Sequence, residues 1–439
     1  MTVRWHFGCV FVLLFAVIDP SAQTARPPGL PGELFPPTLE AEAPKTDLLV
    51  TGLRIANDFD DNALDDNHHK QPNVVTVIEP HLGWNLSHPR LEWSLDYSPG
   101  FSISRPLQNY DSRSHLLDTV LRLRLTKRFE ISLRNSFLTS KNPFDRLRQS
   151  ELMPGFGILD RPSDSILAPT ARRTSDQAGL DLTYALDRHT IIGASGSFFS
   201  VKYSSAAGTQ LPLQFLEDTS SMNGHAFYSH HLTPSTWVGF DYNVQRLIVR
   251  SSQSRALVQS VFYTDTVSFT PNITVSVFAG PERSATHDDF PLLVLPLEGE
   301  RISRSNWHWA GGATYNWSGA HTGIVASIYR KIGDGGGVLG VAKLSGATLE
   351  FRRQLARQWT VDLLASYEDN KALSGTSRAL TYVSATGGLT RMLSQSTSLE
   401  FRYWRVHLSS NSAQVGTYLA DHNRVSMSLI YDLKHPLGR

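Results

Sequence analysis

Along most of the chain, apolar and polar residues alternate one by one. In residues 91–103, Leu91, Trp93, Leu95, Tyr97, Phe101 and Ile103 fall on one face, and Glu92, Ser94, Asp96 and Ser98 on the other. Residues 117–126 set Leu117, Leu121, Leu123 and Leu125 against Asp118, Arg122 and Arg124. Residues 129–138 set Phe129, Ile131, Leu133 and Phe137 against Glu130, Ser132 and Arg134. The closing segment places Val425, Met427, Leu429, Tyr431 and Leu433 opposite Arg424, Ser426, Ser428 and Asp432. Side chains of a strand alternate between its faces, so each segment predicts a strand with one greasy and one polar face.

The pattern predicts strands over 47–57, 74–86, 90–103, 115–126, 129–140, 174–186, 190–203, 222–231, 236–247, 255–269, 273–280, 305–317, 321–330, 342–353, 359–368, 378–391, 398–408 and 421–433. Most exceed the ~5–6 residues usual in soluble sheets and match the ~9–11 that a tilted strand needs to cross a bilayer. Every second connection is short, as at Ser87–Pro89, Lys127–Arg128, Asp187–His189 and Ser318–Ala320; those between run longer, up to 141–173 and 281–304. Short turns at one rim and long loops at the other mark transmembrane barrels. Trp84, Trp93, Trp307, Trp309, Trp317, Trp359 and Trp404 fall near segment ends, as an interfacial girdle requires. No fixed short repeat points to a soluble β-solenoid. The expected fold is all-β: an antiparallel transmembrane β-barrel of about 18 strands (16–18), closed because lipid offers no hydrogen bonds to a free edge.

The first residues break this pattern. Arg4 and His6 precede an apolar run, Phe7 to Ile18, which as a helix covers only ~18 Å and cannot span a ~30 Å hydrocarbon core. Pro20 and the small residues Ser21, Ala22 and Ala25 follow. Residues 1–25 read as a signal peptide cleaved near 22–25, and export to the bacterial outer membrane is expected. Cys9 lies inside the apolar run, unlike a lipoprotein cysteine. Six prolines between Pro27 and Pro44 make 26–46 an irregular periplasmic linker, leaving 47–439 for the barrel.

Composition narrows the classes. A net charge of +1 gives no field for nucleic acid, and the single cysteine excludes a disulfide scaffold. No other segment holds ~18 consecutive apolar residues, so membrane helices are excluded.

Two segments carry a family resemblance. Leu48-Leu49-Val50-Thr51-Gly52-Leu53-Arg54-Ile55-Ala56-Asn57-Asp58-Phe59-Asp60-Asp61-Asn62 resembles the first strand of outer-membrane β-barrel porins of Gram-negative bacteria, of the type associated with exopolysaccharide secretion. Asn423-Arg424-Val425-Ser426-Met427-Ser428-Leu429-Ile430-Tyr431 is similar to their last strand, although here Asp432 to Arg439 continue past the aromatic residue. The resemblance implies a channel, and a last strand recognised by the barrel-insertion machinery.

The polar faces hold the candidate chemistry. Glu92, Asp96, Asp118, Arg122, Arg124, Glu130, Arg134, Glu400 and Arg402 are assigned to pore lining, because Arg on the lipid face costs ~2–4 kcal/mol at the midplane. Pairing across Lys127-Arg128 predicts Arg122 beside Arg134, with an acidic and a basic rung on one wall. Two outcomes stand open: a transverse field that selects solutes, or charges that satisfy one another. The acidic stretch Asp58 to Asn67 lacks Ca²⁺-loop spacing and reads as a solvated outer loop. His68-His69 and His230-His231 point to opposite strand faces and make poor chelators. Gly333-Asp334-Gly335-Gly336-Gly337 precedes no helix and reads as an outer loop rather than a phosphate cradle. Loop 141–173 is either an inward constriction or an ordinary surface loop.

The expected function is a channel passing small polar solutes, or an export conduit for a polymer such as a polysaccharide. The alternatives are a structural or adhesive barrel with a closed lumen, and an outer-membrane hydrolase, for which no motif fixes a nucleophile beside a base. No cofactor, metal or nucleic acid is implied; outer-membrane lipid and a solute are, and a homo-oligomer is compatible with the sequence.

Overall fold

The computed structural model describes residues 47–64, 67–105, 107, 111–142, 145, 171–205, 218–250, 254–289, 301–335, 341–373, 379–412 and 416–437. The expected leader and linker, 1–46, and most of loop 141–173 lie outside them. Alternation becomes eighteen strands: β1 (Leu48–Asp60), β2 (Asn73–His88), β3 (Leu91–Ser104), β4 (Ser112–Arg124), β5 (Phe129–Ser140), β6 (Ala171–Ala185), β7 (Thr190–Ser205), β8 (Thr219–Thr233) and β9 (Thr236–Val249) form the first half. The second half is β10 (Ser254–Thr270), β11 (Ile273–Asp289), β12 (Arg301–Ser318), β13 (Thr322–Asp334), β14 (Val341–Ala356), β15 (Trp359–Ala372), β16 (Ala379–Met392), β17 (Thr397–Ser412) and β18 (Gly416–Pro436).

Each strand pairs antiparallel with its sequence neighbours, and β18 pairs with β1, so the sheet closes into a barrel. The seam runs from Leu48 opposite Pro436 to Asp60 opposite Arg424. Residues 432–436, beyond Tyr431, are therefore strand, held because β1 starts early enough to pair them. Two predicted outer connections shrink. In segment 281–304, residues 281–289 and 301–304 are strand, because β11 and β12 continue pairing up to Asp289 opposite Arg301. In segment 409–420, residues 409–412 and 416–420 are strand as well, with Ser412 opposite Gly416.

Apart from the end of β13, one face of each strand is mostly apolar and turned outward. Phe101 and Ile103 of β3, Leu133 of β5, Phe240 and Tyr242 of β9, and Met427 and Leu429 of β18 are exposed, whereas their sequence neighbours on the other face are buried or half-buried. Aromatic pairs gather near the short turns: Trp84 lies 5.1 Å from Trp93, Phe129 lies 6.4 Å from Tyr184, and the Arg391 guanidinium sits 5.2 Å over Trp359. Trp404 departs from the expected girdle. It has even parity on β17, opposite the exposed Phe401 and Tyr403, and is buried on the inner face.

The wall is uneven at one place. β12 and β13 pair only from Ser318/Gly323 to Gly311/Arg330. Above that point β12 keeps pairing with β11 alone, while β13 keeps pairing with β14. The last four residues of β13, Lys331 to Asp334, are buried on both faces, and β14 approaches β10 although three strands separate them. The β13–β14 hairpin has left the wall and leans into the barrel. Gly333 and Asp334 are thus buried inside, not part of a solvated outer loop, because the hairpin that carries them folds inward.

The outward face makes a direct prediction. Leu133→Arg costs ~2–4 kcal/mol in equilibrium unfolding from lipid vesicles, whereas Leu133→Phe changes stability little.

Candidate functional site: the charged inner face

All nine candidate lining residues fall on the inner parity of their strands, and register decides which of them meet. Glu92 stands opposite Arg122, and Arg124 opposite Glu130. Arg124 donates to Glu92 at 2.9 Å and to Glu130 at 3.3 Å, while Arg122 lies 3.8 Å from Glu92. Acid and base therefore interleave. The expected meeting of Arg122 with Arg134 does not occur. The connection spans residues 125–128, not two residues, so Arg122 faces Ser132 and Arg134 faces Val120. Arg134 instead donates to Asp181 of β6 at 2.5 Å.

Asp96 and Asp118 face each other across β3 and β4. His81 of β2 relieves that clustering: its Nε2 lies 2.7 Å from Asp96, and its Nδ1 lies 3.6 Å from Asp432 of β18. On the other side of the seam, Arg402 contacts Glu400 at 2.6 Å and Asp362 at 3.5 Å, and Ser428 donates to Glu400 at 3.1 Å. Arg54 of β1 donates to Glu79 of β2 at 3.2 Å. Sequence reading missed Arg54, Glu79, His81, Asp181 and Asp362. Each is a lone charge on a polar face, and only cross-strand register reveals its partner.

Near the outer rim Asp58, Asp61 and Asn62 of the acidic stretch are engaged with β18 rather than solvated. Asp58 is buried and takes a hydrogen bond from the buried Arg424 of β18. Asn62, fully buried, donates to Asn67 and to the Asp421 carbonyl at 3.1 and 3.0 Å. Asp61 accepts the Asn423 backbone N–H and its side-chain amide, each at 2.7 Å. The carboxylates are turned into a latch across the β1–β18 seam. Among the described residues no group of three or more His, Cys, Asp or Glu is placed to hold a metal.

Arg424 also donates to Asn142 at 2.7 Å, and its guanidinium lies 5.6 Å from the Trp404 ring. Asn142 follows β5, five strands from β18, or ~24 Å around the wall at ~4.8 Å per strand. It lines a cleft with Asp58, Asn73, Ser102, Ser112 and Arg424, residues of the inner faces of β1 to β4 and β18. The first residues after β5 therefore turn inward across these strands.

The leaning hairpin fills the opposite side. Ile332 and Val341 pack with Leu247, Val249, Ala256 and Val258 of β9 and β10. Ala342 and Leu344 pack with Leu380, Tyr382, Trp404 and Val406 on the inner faces of β16 and β17. Below them, Phe262, Phe278, Ala310 and Val325 form a third apolar cluster. The inner surface thus has a charged part and, where the hairpin enters, an apolar part.

The latch yields two predictions. Arg424→Ala strands a buried carboxylate and destabilises the barrel by ~3–5 kcal/mol, most of which the double variant with Asp58→Asn recovers in an unfolding double-mutant cycle. For Asp61, burial raises the carboxyl pKa, but the Asn423 donors and Lys70 outweigh it and hold the group below its usual range. A depressed folded value stabilises the fold above the unfolded value and loses that stabilisation as pH falls through the folded one. Asp61→Asn therefore lowers stability at neutral pH and flattens its decline into acid, read by urea titration across pH.

Neither a family model nor a curated protein sequence matches the chain. Among solved structures, OccK2 (OpdF) of Pseudomonas aeruginosa matches 89% of this chain and 98% of its own, at 9% identity and a TM-score of 0.44. The outer membrane protein OpdK of the same species matches 88% and 99%, at 11% identity and 0.42. Acinetobacter baumannii OccAB3 matches 89% and 99%, at 7% identity and 0.41. At such identities no residue role passes from those chains to this one.

Proposed function

We propose that the chain is an exported outer-membrane channel for small polar solutes, with residues 1–25 as a cleaved leader and 26–46 as a periplasmic linker. The observation that carries this reading is the division of one closed sheet into an apolar outer face and an inner face lined by Glu92, Arg122, Arg124, Glu130, Arg134, Glu400 and Arg402. A solute on that inner face meets acid and base in alternation, within hydrogen-bonding range of both. Such a wall favours polar and zwitterionic solutes over apolar ones. It gives weak preference between cations and anions, because neighbouring charges cancel at distance.

The apolar packing of the β13–β14 hairpin supports a second reading, a barrel closed at its outer half by its own wall. The two are joined if the hairpin is a gate: conduction then depends on how firmly Ile332 and Leu344 hold. A polymer conduit, the export alternative, needs the hairpin to swing clear.

Single-channel recording of the refolded protein in a planar bilayer tests this. The native chain is expected to give small ohmic steps with weak ion selectivity. Ile332→Asp with Leu344→Asp, which places carboxylates in both apolar clusters, is expected to raise conductance severalfold. Silence of both folded proteins would sink the channel and leave the closed barrel.

A further inference from the structure

The unzipped stretch of β12 and β13 carries a second site, on the membrane side of the wall. The ladder spans eight residue pairs, from Ser318/Gly323 up to Gly311/Arg330. At ~3.3 Å per residue and ~40° tilt this is about 20 Å of height, less than the ~25 Å apolar band. Outward-facing Trp317, next to the short turn, sets the lower limit of that band. The wall therefore opens within the membrane, on its outer side. An unpaired strand edge is tolerated at that depth only where something else satisfies it.

The opening has two kinds of lining. On its outward lip, Trp307, Trp309 and Ile328 are 69%, 72% and 61% exposed, well above Leu133 at 42%. Behind the lip, the outward face of the leaning hairpin meets the inward face of β11 and β12. Ile332 N–H donates to Glu282 of β11 at 3.4 Å, which fixes how the two layers overlap. Arg330 and Lys343 of the hairpin lie within electrostatic reach of Glu282 and of His308 on β12. Neither Arg330 nor Lys343 makes an ion pair among the described residues, and the His308 Nε2 atom is buried without a hydrogen-bond partner. One carboxylate thus faces three cations of the hairpin, Lys331, Lys343 and Arg330, and an unfilled imidazole position, behind an apolar lip that opens on lipid.

We propose that this lateral notch binds a membrane lipid with a phosphate-bearing headgroup. The phosphate sits between Arg330 and Lys343, within reach of His308, and the acyl chains run along Trp307, Trp309 and Ile328. Phosphate answers the uncompensated positive charge, and the chains cover the exposed aromatic surface. The headgroup oxygens also meet backbone N–H groups of the unpaired β12 edge. A free phosphate ion explains the cations but leaves the exposed lip uncovered. The site does not depend on the lumen conducting.

Native mass spectrometry of the refolded protein from detergent micelles tests it, with dioleoyl phosphatidic acid and dioleoyl phosphatidylcholine offered in equal amounts. Phosphatidic acid is expected to stay bound in preference. Arg330→Gln with Lys343→Gln is expected to lower its occupancy by about tenfold. Trp309→Ala is expected to weaken both lipids while keeping the preference. Arg246→Gln, an exposed cation of β9, leaves binding unchanged. Heat-modified gel mobility checks the fold of each variant, and the preference of the native chain decides the matter if the double variant does not fold. Equal retention of the two lipids, an equal loss in Arg246→Gln, or displacement of the lipid by millimolar inorganic phosphate would each overturn the proposal.

Discussion

The structure depends on one constraint: a sheet in lipid must satisfy every backbone N–H and C=O within itself. Eighteen strands meet it only because β18 returns to β1, and the seam is reinforced where it matters. Along its length the ladder from Leu48/Pro436 to Asp60/Arg424 supplies backbone bonds. At its outer end Asp58, Asp61 and Asn62 lock onto Arg424, Asn423 and Asp421. Charges there would be expensive alone. They are placed as partners, so that burial of each one is compensated by the other.

The same constraint explains the inner face. Once the outer face is committed to lipid, most charges at membrane depth turn inward, with Asp265 of β10 an exception between the outward Tyr263 and Val267. The register then sorts them: Arg124 lies between Glu92 and Glu130, Arg134 reaches Asp181, and Arg402 bridges Glu400 and Asp362. The wall departs from a plain cylinder at β13. There, inward apolar residues of β9, β10, β16 and β17 find cover in a hairpin that has exchanged its bonds to β12 for packing against them.

The period of two made the strands and their two faces legible, since that pattern is local. Even weakly patterned segments such as 190–203 emerged as strands, because neighbours on both sides demand pairing. What was not legible depends on register and on long-range packing. Arg134 was expected beside Arg122, but the turn length shifts it to Val120 and leaves Asp181 as its partner. The acidic run near Asp58 read as solvated because its partners lie some 360 positions along the chain. Gly333 and Asp334 read as an outer loop because glycine-rich composition says nothing about a hairpin leaning inward. Trp404 read as girdle because aromatic residues near strand ends serve either face.

Pairing between Leu48 and Pro436 has a consequence for biogenesis. The two edges that meet last are separated by nearly the whole barrel sequence, so joining them is the most non-local event in folding and carries the largest loop-closure entropy. A chain cut anywhere between them, or still emerging, has two bare edges and no way to bury either. Such fragments pair with any strand they meet, so they aggregate or invite degradation. Completeness is thus checked by geometry, and only a chain that reaches its last strand can withdraw its own edges from the surroundings.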